Sequence, residues 1–231
     1  MPRCIPAMIT CLLLGLMVTQ SIAEPLDDAL GSYQSGNYQQ AIDQWTAEAN
    51  NGNAEAQYIL GFMYTYGQGI PIDYDAAVKW YRLAADQGHA KAQYNLGVMY
   101  ANGEGVEQDF KTSAAWFLNA AEQGHPRAQY NLGVQYANGQ GLAQDYTLAA
   151  KWFAEAARQS NANAQNNLGW LYFKGSGVQQ DNVEAYAYWL LAAANDSESA
   201  EQNLAMIKDQ MTEAQIAEAR RRAEQLNNKA E

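Results

Sequence analysis

The stretch AQYNLGVMYANGEGVEQDFKTSAAWFLNAA, residues Ala92–Ala121, is followed by AQYNLGVQYANGQGLAQDYTLAAKWFAEAA, residues Ala128–Ala157. Laid over one another with a shift of 36 residues, the two agree at most positions. The same step extends outwards in both directions. Leu60-Gly61, Leu96-Gly97, Leu132-Gly133 and Leu168-Gly169 form one column, and Ala56, Ala92, Ala128 and Ala164 another. Tyr64, Tyr100, Tyr136 and Tyr172 form a third. Self-similarity at a period of this size marks a chain built of stacked supersecondary units.

Each unit reads as two helices. In the first, Ala56, Leu60, Gly61 and Tyr64 fall at i, i+4, i+5 and i+8, which is one face of a helix rather than of a strand. A glycine inside a helix costs about 1 kcal/mol against alanine. Its return in every unit implies that a bulky side chain of the second helix needs the space. The pairs Gly67/Gly69, Gly103/Gly105, Gly139/Gly141 and Gly175/Gly177 end the first helix and turn the chain. Asp73, Asp109, Asp145 and Asp181 then stand where a second helix needs an N-cap. That helix carries Ala77, Trp80, Tyr81 and Ala84 on one face, and the column Trp80, Trp116, Trp152 and Tyr188 is expected in the core.

The full units span 54–89, 90–125, 126–161 and 162–197. Residues 24–53 read as a partial unit with a shorter turn, carrying Ala29, Tyr33, Gly36, Ala41 and Trp45. Residues 198–231 read as capping helices. Ala200 and Leu204 continue their columns, Thr212-Glu213-Ala214-Gln215 matches a capping box, and Asn227–Glu231 reads as a frayed end. No Pro- or Ser-rich linker interrupts 24–231, which is expected to be one α-solenoid domain.

Residues 1–23 have the features of a secretory signal peptide. Arg3 precedes an apolar run from Ile9 to Val18, and Ser21-Ile22-Ala23 offers small residues for cleavage. An uncleaved N-terminal anchor is the alternative. Cys4 and Cys11, the only cysteines, leave with the signal peptide, so the secreted chain has no disulfide and no thiolate metal site. The net charge is −11, and −12 without Arg3. Such a field disfavours nucleic acid and anionic lipid surfaces; it serves solubility and also favours basic partners.

Catalytic patterns are not found. His89 and His125 share one column, which would hold them on the order of 10 Å apart, too far for a joint metal or proton relay. Asn161 and Ser197 follow in that column, so it reads as a helix-start position. No Ser-x-x-Lys, Gly-x-Ser-x-Gly or His-Glu-x-x-His occurs, and the Gly-x-Gly pairs follow helices rather than strands. No cofactor and no metal are expected.

The unit A-x-x-x-L-G-x-x-Y-x-x-G-x-G, then D-[YF], then [AS]-x-x-W-[YF]-x-x-A-A, resembles the Sel-one-like repeat, a relative of the tetratricopeptide repeat. The fourth unit departs from it, with Asn182 after Asp181 and the aromatic pair inverted to Tyr188-Trp189. The resemblance implies an all-α, right-handed superhelical solenoid of antiparallel helix pairs. It also implies an adaptor that assembles protein complexes, and for secreted bacterial members a place in the cell envelope, here the periplasm. A cysteine-rich branch is linked to β-lactam binding; the lack of cysteine after residue 23 departs from that branch. By the same resemblance the concave groove is lined by three rows of the first helices. Tyr58, Tyr94 and Tyr130 form one, Asn95, Asn131 and Asn167 the next, and Phe62, Val98, Val134 and Trp170 the third. The partner-binding residues expected are Tyr58, Phe62, Tyr94, Asn95, Tyr130, Asn131, Asn167 and Trp170. Amides there suit a peptide backbone, and aromatic rings suit anchoring. The alternative for the Tyr row is packing between neighbouring units. The function expected is a non-catalytic interaction scaffold binding a protein or peptide; an envelope hydrolase or β-lactam-binding enzyme, and a peptidoglycan or glycan binder, are the rivals.

Overall fold

The computed structural model describes residues 23–228, and within them the chain forms twelve α-helices and no strand. The signal peptide expected over 1–23 therefore lies, apart from Ala23, outside the described residues, as do residues 229–231. The helices are α1 (Ala23–Gln34), α2 (Tyr38–Asn50), α3 (Ala54–Tyr66), α4 (Tyr74–Asp86), α5 (Ala90–Asn102) and α6 (Phe110–Glu122). They continue with α7 (Pro126–Asn138), α8 (Tyr146–Arg158), α9 (Ala162–Lys174), α10 (Asn182–Ala194), α11 (Glu198–Lys208) and α12 (Glu213–Asn227). None of the described helices is long and apolar enough to cross a membrane.

Local chemistry sets the boundaries. The first helix of each full unit starts at a side chain that accepts from free backbone N–H groups: Asn53, His89, His125 and Asn161. Ser197, in the same column, also starts a helix, α11, but through its backbone carbonyl, and its side chain makes no such bond. Each first helix ends on a left-handed glycine, as at Gly103 with φ 74°, whose N–H returns to the Met99 carbonyl. Second helices start at Asp73, Asp109, Asp145 and Asp181, each carboxylate accepting from N–H groups of the first turn. The capping box expected at Thr212 is present.

Packing explains the helical glycines. A Cβ added to Gly61, Gly97, Gly133 or Gly169 would stand 2.6–2.7 Å from the ring of Tyr81, Phe117, Phe153 or Trp189. The residue seated on the glycine is thus the second of each aromatic pair, and it is fully buried. Trp80, Trp116, Trp152 and Tyr188 are only half-buried at the margin of the core, which corrects their expected place inside it. The inverted fourth pair now makes sense: Trp189 fills the core position, and Tyr188 stacks on Tyr172 at 5.7 Å.

The second glycine of each turn sets the stacking. A Cβ on Gly141 would come 2.3 Å from the Phe110 backbone, at the start of the preceding unit's second helix. Only a bare backbone allows that approach. A glutamine relay adds direction. Gln93 Nε2 donates to the Ala85 carbonyl at the end of the preceding unit, 3.1 Å away, and its Oε1 accepts from Gln123 Nε2 at 2.7 Å. Gln57, Gln129 and Gln165 repeat the arrangement. The carbonyls left free at a helix end thus find partners without water.

Each helix packs on its neighbours in sequence, from α1 on α2 to α10 on α11. The array ends differently: α12 lies against α10 instead of pairing with α11. Arg222 fixes it there, with Nη1 2.8 Å from Glu184 and 3.1 Å from Asp181, and Nε 3.1 Å from Glu218.

Candidate functional site

Within the four units each helix packs mainly on its neighbours in sequence, and the first helices α3 and α5 also touch. The side of the first helices that faces away from their second helices is the candidate surface. It repeats at i, i+3, i+4, i+7 and i+11. In α5 these positions are Lys91, Tyr94, Asn95, Val98 and Asn102; in α7 they are Arg127, Tyr130, Asn131, Val134 and Asn138. All are half-buried or exposed. The same side of α9 carries Asn163, Asn166, Asn167, Trp170 and Lys174.

The expected binding residues do lie on this common face, but they are not equally accessible. Tyr58 is only 4% exposed. Its ring stacks on His89 at 4.8 Å and leans on Tyr81, so it belongs to the packing between units rather than to a contact surface. Tyr94 repeats the arrangement with His125 at 4.7 Å and Phe117, and Tyr130 leans on Phe153, yet both stay partly open. The packing alternative is therefore right for the faces of these rings, while the edges of Tyr94 and Tyr130 remain on the surface. Burial pushes both phenols up, opposed at Tyr94 by Arg127 and Asn131 and at Tyr130 by Asn167. The hydroxyls thus stay protonated at neutral pH and meet the asparagine of the next unit. Asn166 breaks the Tyr column and instead accepts from Asn203 Nδ2 at 2.9 Å.

At the ends of the face, Phe62 packs on Tyr66 at 4.4 Å, and Tyr66 is exposed. Trp170 meets Phe173 and Trp189 edge-on, with the Lys174 ammonium 5.5 Å from its ring centre. The two histidines differ in their neighbours. His89 Nε2 stands 2.8 Å from Glu55, whereas the column that supplies Glu55 supplies Lys91 next to His125. Burial, then Arg127 and Lys91, hold His125 down to about 4. It is neutral at pH 7, and its Nδ1 accepts from the Ala128 N–H. Among the described residues no three His, Cys, Asp or Glu side chains are grouped to hold a metal ion.

The pattern that defines the Sel1 repeat matches residues 54–89, 90–125, 126–161 and 162–197. The chain belongs to the Sel1 repeat family. Sel1 repeat proteins generally act as protein-interaction scaffolds. Among solved structures, this Sel1 repeat chain is similar to c5321, a protective antigen of uropathogenic Escherichia coli strains with an SLR fold. The two are 38% identical with a TM-score of 0.70, over 72% of this chain and 36% of that one. It is also similar to a Sel1 repeat protein from Oxalobacter formigenes, at 31% identity and a TM-score of 0.73, over 78% of this chain and 74% of that one. Immunity protein Pa5087 from Pseudomonas aeruginosa, at 18% identity and a TM-score of 0.50 over 93% of this chain and 84% of that one, shares the fold. The chain thus spans about a third of the c5321 antigen. None of the curated proteins matches it.

Two sets of residues on the repeats escaped the sequence reading. One is the glutamine relay, whose columns recur with the same step as the others. The other is the pair Lys91 and Arg127, which occupies the second position of successive first helices.

Proposed function

We propose that this Sel1 repeat chain is a scaffold of the cell envelope that holds a partner protein or peptide along the face of its first helices. The supporting observation is the continuity of that face. Tyr94, Asn95 and Val98 run into Tyr130, Asn131 and Val134, and then into Asn167 and Trp170, all partly open to solvent. Rings wedged against the core are already ordered, so a partner meets anchors that lose little entropy on binding. Differences between units, such as Phe62 against Trp170, would give the partner its register. Export through the signal peptide expected over 1–23 would place the scaffold in the periplasm.

The test is site-specific photo-crosslinking in the native host. Benzoylphenylalanine replaces Val98 or Val134 on the first helices, or Lys111 or Lys151 on the second. Discrete adducts from the first pair and none from the second are expected. Adducts confined to the second pair would sink the reading. Cell fractionation with N-terminal sequencing checks the address; a chain starting at Glu24 in the periplasmic fraction is expected.

A further inference from the structure

Acidic residues outnumber basic ones 25 to 14, yet the charge is not spread evenly. Helices α5, α7 and α9 contain no Asp or Glu at all, and their charged residues are Lys91, Arg127 and Lys174. The one carboxylate on the same side of α3, Glu55, is engaged by His89 at 2.8 Å. The acids of the four units otherwise sit on the second helices and in the turns. Net charge alone favours basic partners; the charged side chains of these three helices have the opposite sign.

Lys91 and Arg127 are exposed and stand in successive units. The Lys91 ammonium is 5.9 Å from the Tyr58 ring centre, and the Arg127 guanidinium lies beside the Tyr94 hydroxyl. After burial, Arg127 and then Lys91 act on His125, both disfavouring its protonation. Neither has a carboxylate within 4.0 Å among the described residues. Two like charges held on one small area without a counter-ion repel each other, and a ligand carboxylate would relieve that repulsion.

We propose that the first-helix face recognises an acidic, extended segment of a partner protein, with carboxylates three residues apart meeting Lys91 and Arg127. This rests on the scaffold reading above and adds the chemistry of the partner. The spacing follows from geometry. Successive first helices stand one unit apart, on the order of 10 Å, for which the packing distance of about 8–10 Å is the lower bound. A polyproline II segment advances about 3.1 Å per residue with three residues per turn, so its every third side chain faces the same way about 9 Å further on. Asn95, Asn131 and Asn167 supply amides for the peptide groups between the acids, because such a segment leaves its own backbone groups unpaired. A charge-assisted contact to lysine or arginine changes affinity roughly tenfold or more.

The probes are fluorescein-labelled, proline-rich dodecapeptides with two glutamates separated by two residues, and their twins with glutamine in place of glutamate. Binding to the full chain is read by fluorescence anisotropy at 50 and 300 mM salt. The acidic peptide should bind at least tenfold tighter than its twin and weaken with salt. Lys91→Gln and Arg127→Gln should each remove most of that preference, whereas Lys111→Gln and Lys151→Gln on second helices should not. Circular dichroism melts of all four variants should match the parent. Equal binding of both twins, dependent on Tyr94 and Trp170, would overturn the acidic preference and leave the scaffold standing. The same loss from Lys111→Gln would reduce the effect to general attraction and overturn the assignment. Binding of neither peptide at millimolar concentration would overturn the acidic assignment, and photo-crosslinking would then decide whether the scaffold reading falls with it.

Discussion

Two helical glycines should respond to alanine with opposite signs. Gly31 sits in α1 with nothing within 4 Å of where a Cβ would stand, whereas at Gly97 the same carbon would lie 2.7 Å from Cδ1 and Cε1 of Phe117. Both substitutions gain the same intrinsic helix preference, about 1 kcal/mol. At Gly31 nothing opposes it, so Gly31→Ala should stabilise by up to about 1 kcal/mol. At Gly97 the ring must retreat by roughly 1 Å to reach ordinary carbon–carbon contact at about 3.5–4.0 Å. Phe117 is fully enclosed and its ring is rigid, so the move must displace the next layer, at a cost of about 2–3 kcal/mol, the upper part of the range for overpacking. The net for Gly97→Ala is a loss of about 1–2 kcal/mol, or a fall of roughly 0.5–1.5 M in the urea midpoint. Urea titration followed by circular dichroism measures both variants. Adding Phe117→Leu opens the space, so the double variant should show a coupling of at least about 1 kcal/mol. The reasoning is refuted if Gly97→Ala is as stable as the parent, or if the Gly97 and Phe117 substitutions simply add.

Three more outcomes follow from single contacts. Ser113 and Gln135 are buried together, with Gln135 Nε2 3.0 Å from Ser113 Oγ, where other units place alanine opposite methionine or leucine; Ser113→Ala should cost about 1–3 kcal/mol, whereas Ser113→Ala with Gln135→Met should be neutral or stabilising in a double-mutant melt. His125 is held down to about 4, so between pH 6.5 and 4 the unfolded chain takes a proton that the folded chain refuses. Stability should be fully present above pH 6.5 and fall towards pH 4, with a slope below about 1.4 kcal/mol per pH unit because the ring is partly solvated. His125→Asn should flatten that slope while keeping the cap, as Asn161 does for Ala164, and urea midpoints at pH 7 and pH 5 would show it. Arg222→Gln should loosen α12 with a loss of about 1 kcal/mol that shrinks in high salt, seen as faster amide exchange in Glu213–Asn227 while α5 and α7 keep their protection.

The architecture was legible because each unit repeats its own instructions. Ala56, Leu60, Gly61 and Tyr64 declare a helix by spacing, Gly67 and Gly69 declare its end, and Asp73 declares the next start; all of this is chemistry local to the chain. The choice between Trp80 and Tyr81 for the core was not legible. Both are large aromatics one residue apart, and about 100° of helix rotation decides which one meets Gly61. The fourth unit held the clue: there Trp189, and not Tyr188, is the larger ring, standing at the position seated on glycine. Nor was the burial of Tyr58 legible, since it depends on His89 closing over it from the next unit. Such contacts cross between units and leave no local pattern.

The candidate face divides between these two kinds of information. Its aromatic rows were readable as columns, but columns are what packing between identical units also produces, and the structure gives the Tyr58, Tyr94 and Tyr130 rings to packing over most of their area. A binding surface on an array of near-identical units must instead be specified where the units differ without harm to their stacking. The second position of the first helix is such a place. It reads Glu55, Lys91, Arg127 and Asn163 in order, and its side chains reach the outside of the layer rather than the core. Stacking tolerates all four residues there, so packing alone does not account for the change from an acid held by a histidine to two uncompensated cations. That column, more than the recurring rings beside it, is where a partner of defined charge would be distinguished along the array.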